Sequence, residues 1–415
     1  MDDYDFGRVA FRHVAVYKEI AWFCNQYYNA LFKIDIRKKK IFFERVLPCN
    51  NNRGFRQYGA IASYENYLVI APLRTGDILI YDMDTKELRS IPLEVDKYTD
   101  GRCFNLFFSA TVYGNSVFLF PGRFQAIVKI ELPSGKCTYY SDWYADIKPY
   151  IADEFKILFS ISNERKGSKY YLPFWQNNIV ICFDMEDGSH ETILLDAEGC
   201  AFSGIQIEEK FWWISLKEEN TLLKCDSETK SVIKKVYLNQ EFCEAEGILA
   251  IKINKNELTV IPTLGKAILN LDTLSEKIQI KYVLPDQITE DMSPYVYEKT
   301  HILCVAKAED DLLIMYSNYD GKIIIANLNN DHWESWPAVV DDKNVTNVIR
   351  KQVYLTKRWR SPALIRENVH MDLQDYVDCL TRLSLKGNTA SSDSCVGGTI
   401  YKKLIFAEDG SDICG

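Results

Sequence analysis

The chain is written as short apolar runs that stop at an acidic residue, turn, and start again. In "LRTGDILIYDMDTKELRSIPL", Leu73 to Leu93, an apolar run ends at Asp82, a polar turn follows, and another run begins. Seven stretches share this form: "FCNQYYNALFKID" ending at Asp35, "APLRTGDILIYD" at Asp82, "FPGRFQAIVKIE" at Glu131, "LPFWQNNIVICFD" at Asp184, "SLKEENTLLKCD" at Asp226, "IPTLGKAILNLD" at Asp272 and "YSNYDGKIIIAN" at Asn327. The end residues lie 47, 49, 53, 42, 46 and 55 positions apart, so one supersecondary unit recurs about every fifty residues. Each stretch contains two strands. A further strand precedes it ("YGAIASY", "FSGIQIE", "ILAIKIN") and another follows ("LRSIPL", "HETILL", "KIQIKYVL"). Four strands per repeat, with no helical periodicity before residue 360, predict β-propeller blades rather than βαβ units. The recurring acid closes the third strand, where its short side chain can accept backbone N–H groups two residues on and hold the turn into the fourth. Turn chemistry explains these acids better than catalysis.

On these repeats the chain resembles a seven-bladed, kelch-like β-propeller repeat protein of the bacterial kind, over residues 5–340. The paired glycines of the kelch motif and the recurring Gly-His and Trp-Asp pairs of the WD type are absent. The resemblance implies an all-β fold of seven blades, each of four antiparallel strands, and no assigned function. The remaining residues, 341–415, form a C-terminal extension of different texture. "RKQVYLTKRWR" sets Arg350, Lys351, Lys357, Arg358 and Arg360 around Tyr354 and Trp359. Near 371–384, Leu373, Tyr376, Val377, Leu380 and Leu383 recur at three- and four-residue steps after Asp372, predicting an amphipathic helix.

Composition sharpens this. Hydrophobic residues make up 47% of the 415 and aromatics 13%, enough to build a core and suited to pleated strands. A formal net charge of -9 argues against nucleic acid as the partner. The first residues lack the basic flank and apolar run of a signal peptide, and no 18-residue apolar stretch follows, so a cytoplasmic location with no membrane contact is expected. The 12 cysteines show no C-x-x-C spacing and read as buried free thiols. The five histidines are not paired at metal-ligand spacing, and no phosphate-cradling or nucleophile-elbow motif occurs, so neither a metal nor a cofactor is expected.

Geometry narrows the candidates. In a propeller the second-to-third-strand loops and the segments entering each innermost strand emerge together around the mouth of the central channel. Here they supply Tyr28, Arg74, Arg123, Phe124 and Trp175 from the loops, and Arg56 and Tyr58 from the entries. Guanidinium groups grip carboxylate or phosphate bidentately and aromatic faces stack on sugars or side chains. This predicts a non-catalytic interaction module that recognises a peptide, a protein or an acidic glycan. The alternative is a propeller-type lyase or hydrolase acting on a polysaccharide.

Overall fold

The computed structural model describes residues 7–27, 29–48, 56–99, 103–152, 157–197, 199–238, 248–290, 292, 300–308, 311–340 and 345. Tyr28, the basic aromatic cluster from Arg350 to Arg360 and the helix expected near 371–384 lie outside them. The described residues form seven sheets, each of four antiparallel strands taken consecutively from the chain. The seven blades run 15–46, 58–92, 107–140, 164–194, 202–237, 248–283 and 302–337. In every blade the second and third strands are buried, while the fourth, such as Leu88–Pro92 or Ile278–Val283, is largely exposed at the rim. No helix among the described residues is long and apolar enough to cross a membrane.

A single blade cannot bury both faces of its sheet, so the core lies between blades. Seven apolar clusters fill the seven interfaces. In the cluster joining blades 7 and 1, Phe11 packs on Phe23 at 4.6 Å and on Tyr316 at 5.2 Å between ring centroids. The ring closes there without exchanging a strand. The Val9 amide donates to the Ala338 carbonyl at 3.0 Å, the Val340 amide donates to the Gly7 carbonyl at 2.8 Å, and Arg8 faces Val339 in an antiparallel bridge.

The strand-ending acids occupy equivalent places. Asp35, Asp82, Glu131, Asp184, Asp226, Asp272 and Asn327 each close the third strand of their blade. Asp226 Oδ1 accepts the Glu228 amide at 2.9 Å and the Thr229 amide at 2.8 Å, and Asp82 and Asn327 repeat the pattern. These donors hold the carboxyls of Asp35, Asp82, Asp226 and Asp272 below the usual carboxylate range. Glu131 keeps its turn through the backbone instead, its carbonyl accepting the Gly135 amide at 2.7 Å.

Four residues beyond each of these acids the backbone is left-handed, at Lys39, Lys86, Gly135, Gly188, Lys230, Glu276 and Asp331, as a hairpin ending in a bulge requires. This position also meets the preceding blade. Lys39 pairs with Glu334 of blade 7 at 2.6 Å, Lys86 with Glu44 of blade 1 at 2.9 Å, Asp331 with Lys281 of blade 6 at 2.7 Å, and Glu276 with Lys234 of blade 5. Glycine stands where the preceding rim presents an apolar or aromatic side chain: a Cβ on Gly188 would lie 2.1 Å from the Tyr140 ring, and one on Gly135 2.7 Å from Ile91.

Near the axis the segment leading into blade 4 crosses the innermost strand of blade 5 to reach blade 6. The Ser162 carbonyl accepts the Ile205 amide at 3.1 Å, and the Ser162 hydroxyl accepts the Ile251 amide at 3.4 Å. Gly204 leaves the room for this, since a Cβ there would sit 2.9 Å from the hydroxyl oxygens of both Ser162 and Ser215.

Two substitutions test these turns. Gly188→Ala combines a left-handed backbone with the Tyr140 contact and is expected to cost about 2 kcal/mol or more in a urea unfolding measurement. Asp226→Ala is expected to melt below wild type at pH 7, with Asp226→Asn keeping most of the stability because it retains the acceptor oxygen. A carboxyl lowered by folding stabilises above its unfolded pKa and loses that contribution as pH falls through the folded value. The gap between Asp226→Ala and wild type should therefore narrow as pH drops below about 3.8, read from thermal midpoints across pH.

Candidate functional site

Antiparallel order places the second-to-third-strand loops and the blade entries at one end of every blade, and backbone hydrogen bonds tie loops to entries within and between blades. Within a blade the loop donates to the entry: Gln26 to Ala10 at 2.8 Å, Leu73 and Arg74 to Gln57 at 2.8 and 3.0 Å, Gly122 to Leu106 at 2.8 Å, Trp175 to Leu158 at 2.7 Å, Lys217 to Ala201 at 2.9 Å and Asn318 to His301 at 2.7 Å. Between blades the entry donates to the preceding loop: Leu106 to Leu73 at 3.1 Å, Leu158 to Gly122 at 2.6 Å, Phe202 to Phe174 at 3.2 Å and His301 to Thr263 at 3.0 Å. Arg56, Arg74, Arg123 and Trp175 therefore stand on one face, on the first four blades.

Their surroundings separate them into two groups. Arg74, Arg123 and Trp175 remain partly exposed. The Arg74 guanidinium lies over the Phe104 ring at 4.7 Å, and the Lys217 ammonium lies 5.2 Å from the Trp175 ring. Arg56 is only 7% exposed; its backbone is left-handed, and its Nε donates to Gln26 Oε1 at 2.7 Å, joining blade 2 to blade 1. Tyr58 and Phe124 point away from the mouth. Tyr58 is 2% exposed inside the cluster between blades 1 and 2, with its hydroxyl donating to the Pro48 carbonyl at 3.1 Å. Phe124 is fully buried between blades 2 and 3, its ring 4.9 Å from that of Phe107. Both are pulled inward because the strand and loop positions they occupy face a neighbouring blade, and an aromatic ring there buries more apolar area than the mouth offers.

The structure adds Arg12 and His13, just before the innermost strand of blade 1. His13 keeps some solvent exposure, yet its proton affinity is pushed down to about 3, first by desolvation and then by the Arg12 and Arg56 guanidinium charges. These two residues sit in an entry segment, "AFRHV", so the same reasoning that singled out Arg56 could have reached them. Counter-charge is distributed unevenly. The described second-to-third-strand loops of blades 1 to 4 contain no Asp or Glu, whereas the connections into blades 3 and 4 carry Glu94, Asp96, Asp142 and Asp146, the loop of blade 5 carries Glu218 and Glu219, and that of blade 7 carries Asp320. Asp320 is engaged by Lys322 at 2.9 Å. Among the described residues no group of three or more His, Cys, Asp or Glu side chains converges as a metal-ligand set.

No family model matches the chain, and no curated protein sequence matches it. Solved structures do resemble it. A streptogramin B lyase aligns at 14% identity over 77% of this chain and 93% of its own, with a TM-score of 0.51. A virginiamycin B lyase from Staphylococcus aureus aligns at 15% identity over 72% and 88%, TM-score 0.49, and Kluyveromyces lactis Hsv2 at 8% over 80% and 99%, TM-score 0.47. At such identities the likeness is one of fold, a seven-bladed β-propeller, and the mouth chemistry must be read from this chain's own residues.

His13 makes that chemistry measurable. Unfolded, its imidazole takes a proton near pH 6.5; folded, it does so near pH 3. The unfolded chain thus binds more protons between these values, so stability falls as pH drops through this window and levels off below it. His13→Gln is expected to flatten that part of the stability profile, as read by urea unfolding at several pH values; an unchanged slope would show that neither burial nor the guanidinium charges lower the proton affinity of His13.

Proposed function

We propose that this chain is a kelch-like interaction module whose channel mouth binds an anionic ligand over blades 1 to 4. The observation that supports the reading is the backbone-bonded rim that sets Arg56, Arg74 and Arg123 on one face of blades 1 to 3, with Arg74 and Arg123 partly exposed there. In a protein of net charge -9, such a local excess of guanidinium focuses anions towards one face while the remaining surface repels them. Ligand groups of matching chemistry are carboxylates, sulfates and phosphates, which guanidinium holds bidentately, as found on acidic peptides and acidic glycans. Arg74 on Phe104 and Lys217 on Trp175 supply flat, partly exposed faces beside the charges, suited to side chains or sugar rings.

The polysaccharide lyase or hydrolase reading needs a general base poised near working pH. An imidazole held near 3 is a weak base at pH 7, and the ring nitrogen of His301 faces the Gly265 backbone, so the binding reading is better supported.

An array of acidic peptides and glycans should return ligands whose affinity falls as salt rises. Arg123→Ala should weaken such a ligand by roughly tenfold or more, about 1.5 kcal/mol, because charge-assisted hydrogen bonds are lost. An Arg123→Ala affinity equal to wild type at low salt would move the binding surface away from this mouth.

A further inference from the structure

We propose that the outer strand of blade 6, Ile278–Val283, pairs edge to edge with the same strand of a second copy of this chain, giving a two-fold dimer. The strand is an open and nearly uncharged sheet edge. Leu274, Ile278, Ile280 and Val283 of this one hairpin are all exposed, Ile280 at 48% and Val283 at 72%. An open edge with apolar side chains is a template for another strand, and proteins usually protect such edges with charge. The other six outer strands carry charges, at Lys40, Arg89, Lys136, Glu191, Lys235 and Glu334. In blade 6 the one charged side chain of the strand, Lys281, is only 11% exposed and is turned to Asp331 of blade 7 at 2.7 Å.

The backbone of this edge matches itself. The Asp272 amide donates to the Lys277 carbonyl at 3.0 Å, so Lys277 turns its backbone groups to the third strand. Antiparallel alternation then sends those of Ile278 outward, Gln279 inward and Ile280 outward. Ile278 opposes Leu271 and Ile280 opposes Leu269, and both leucines lie in the cluster between blades 5 and 6, so the two isoleucines share one face. A two-fold axis at Gln279 sets Ile278 against the partner's Ile280 and makes about four backbone hydrogen bonds. The isoleucines of both copies then form one apolar patch across the joined sheets. The like charges brought opposite are Lys277 and the partner's Lys281, and Asp331 already neutralises the second. Such a strand is complementary to a second copy without any charge supplied by a foreign partner. Each copy carries a net charge of -9, so the copies repel at long range and salt screens that repulsion. Association therefore strengthens as salt rises, the opposite of anion binding at the mouth.

The test is sedimentation velocity of the full chain over a micromolar concentration series at low and high salt, with hydrogen exchange of the Ile278 and Ile280 amides read in the same samples. Wild type is expected to move from one chain towards two as concentration rises, more readily at high salt, and both amides to exchange more slowly as the dimer forms. Ile280 is exposed and lies outside the clusters on either side of blade 6, so Ile280→Lys should fold as wild type does. It should weaken the dimer roughly tenfold or more by setting unpaired ammonium groups in the contact. The exchange rates of wild type keep the test valid if the variant folds poorly. A monomer at every concentration and salt overturns the proposal. A dimer that Ile280→Lys leaves unchanged overturns it too, because another surface would then join the copies. Amides protected at every concentration in a monomer would mean that a segment of the same chain covers the edge, and amides slowed only by an added apolar peptide would make the edge a dock for a foreign strand; both results overturn the dimer.

Discussion

Among the described residues, blades 3, 4, 5 and 7 enter the ring by giving a backbone hydrogen bond to the preceding blade, and blade 2 gives one to its neighbour's side chain. Leu106 reaches Leu73, Leu158 reaches Gly122, Phe202 reaches Phe174, His301 reaches Thr263, and Gln57 reaches the Asn29 side chain. These amides lie between packed sheets, where an unmade bond costs the full desolvation of the group. The rim is therefore fixed in register by the same requirement that holds the ring together. The side chains raised on it, Arg74, Arg123 and Trp175, take their places around the mouth from that backbone.

At the outer rim the interlock is built differently. There the left-handed position of six blades meets the outer strand of the blade before it. Four of these positions carry a charge paired with the preceding blade, and two are glycine because Tyr140 or Ile91 already fills the space. Exposed ion pairs contribute little individually, so their value lies in matching each blade to one neighbour. The apolar wedges between sheets remain the main source of stability. Near the axis Gly204 allows Ser162 to bridge blades 5 and 6, which ties three successive blades together where the sheets come closest.

The same architecture concentrates charge. Arg12 and Arg56 are far apart in the chain yet share one field because consecutive entries converge at the axis, and His13 registers that field. A propeller mouth is a concave surface with protein on its sides, so charges there are screened less than on the convex rim.

The blade count and the equivalence of Asp35, Asp82, Glu131, Asp184, Asp226, Asp272 and Asn327 were legible in the sequence, because a tight hairpin is a local object and its turn chemistry lies within five residues. The left-handed position was less legible, since only Gly135 and Gly188 carry the residue that usually marks it, and four of the other five pair with a charge in another blade. The mouth could be assigned to one set of loops, because antiparallel order alone places them together. Which side chains on those loops face the mouth was not legible. Phe124 and Tyr58 look like ligand platforms in sequence, and only the neighbouring blade, by offering a larger apolar surface, turns them inward. Arg12, His13 and Arg56 lie more than forty residues apart at their extremes, and no local pattern relates them. Hydrogen-bonded turns are decided by short-range geometry, whereas burial and electrostatic fields sum over everything nearby in space, and so only the closed ring decided them.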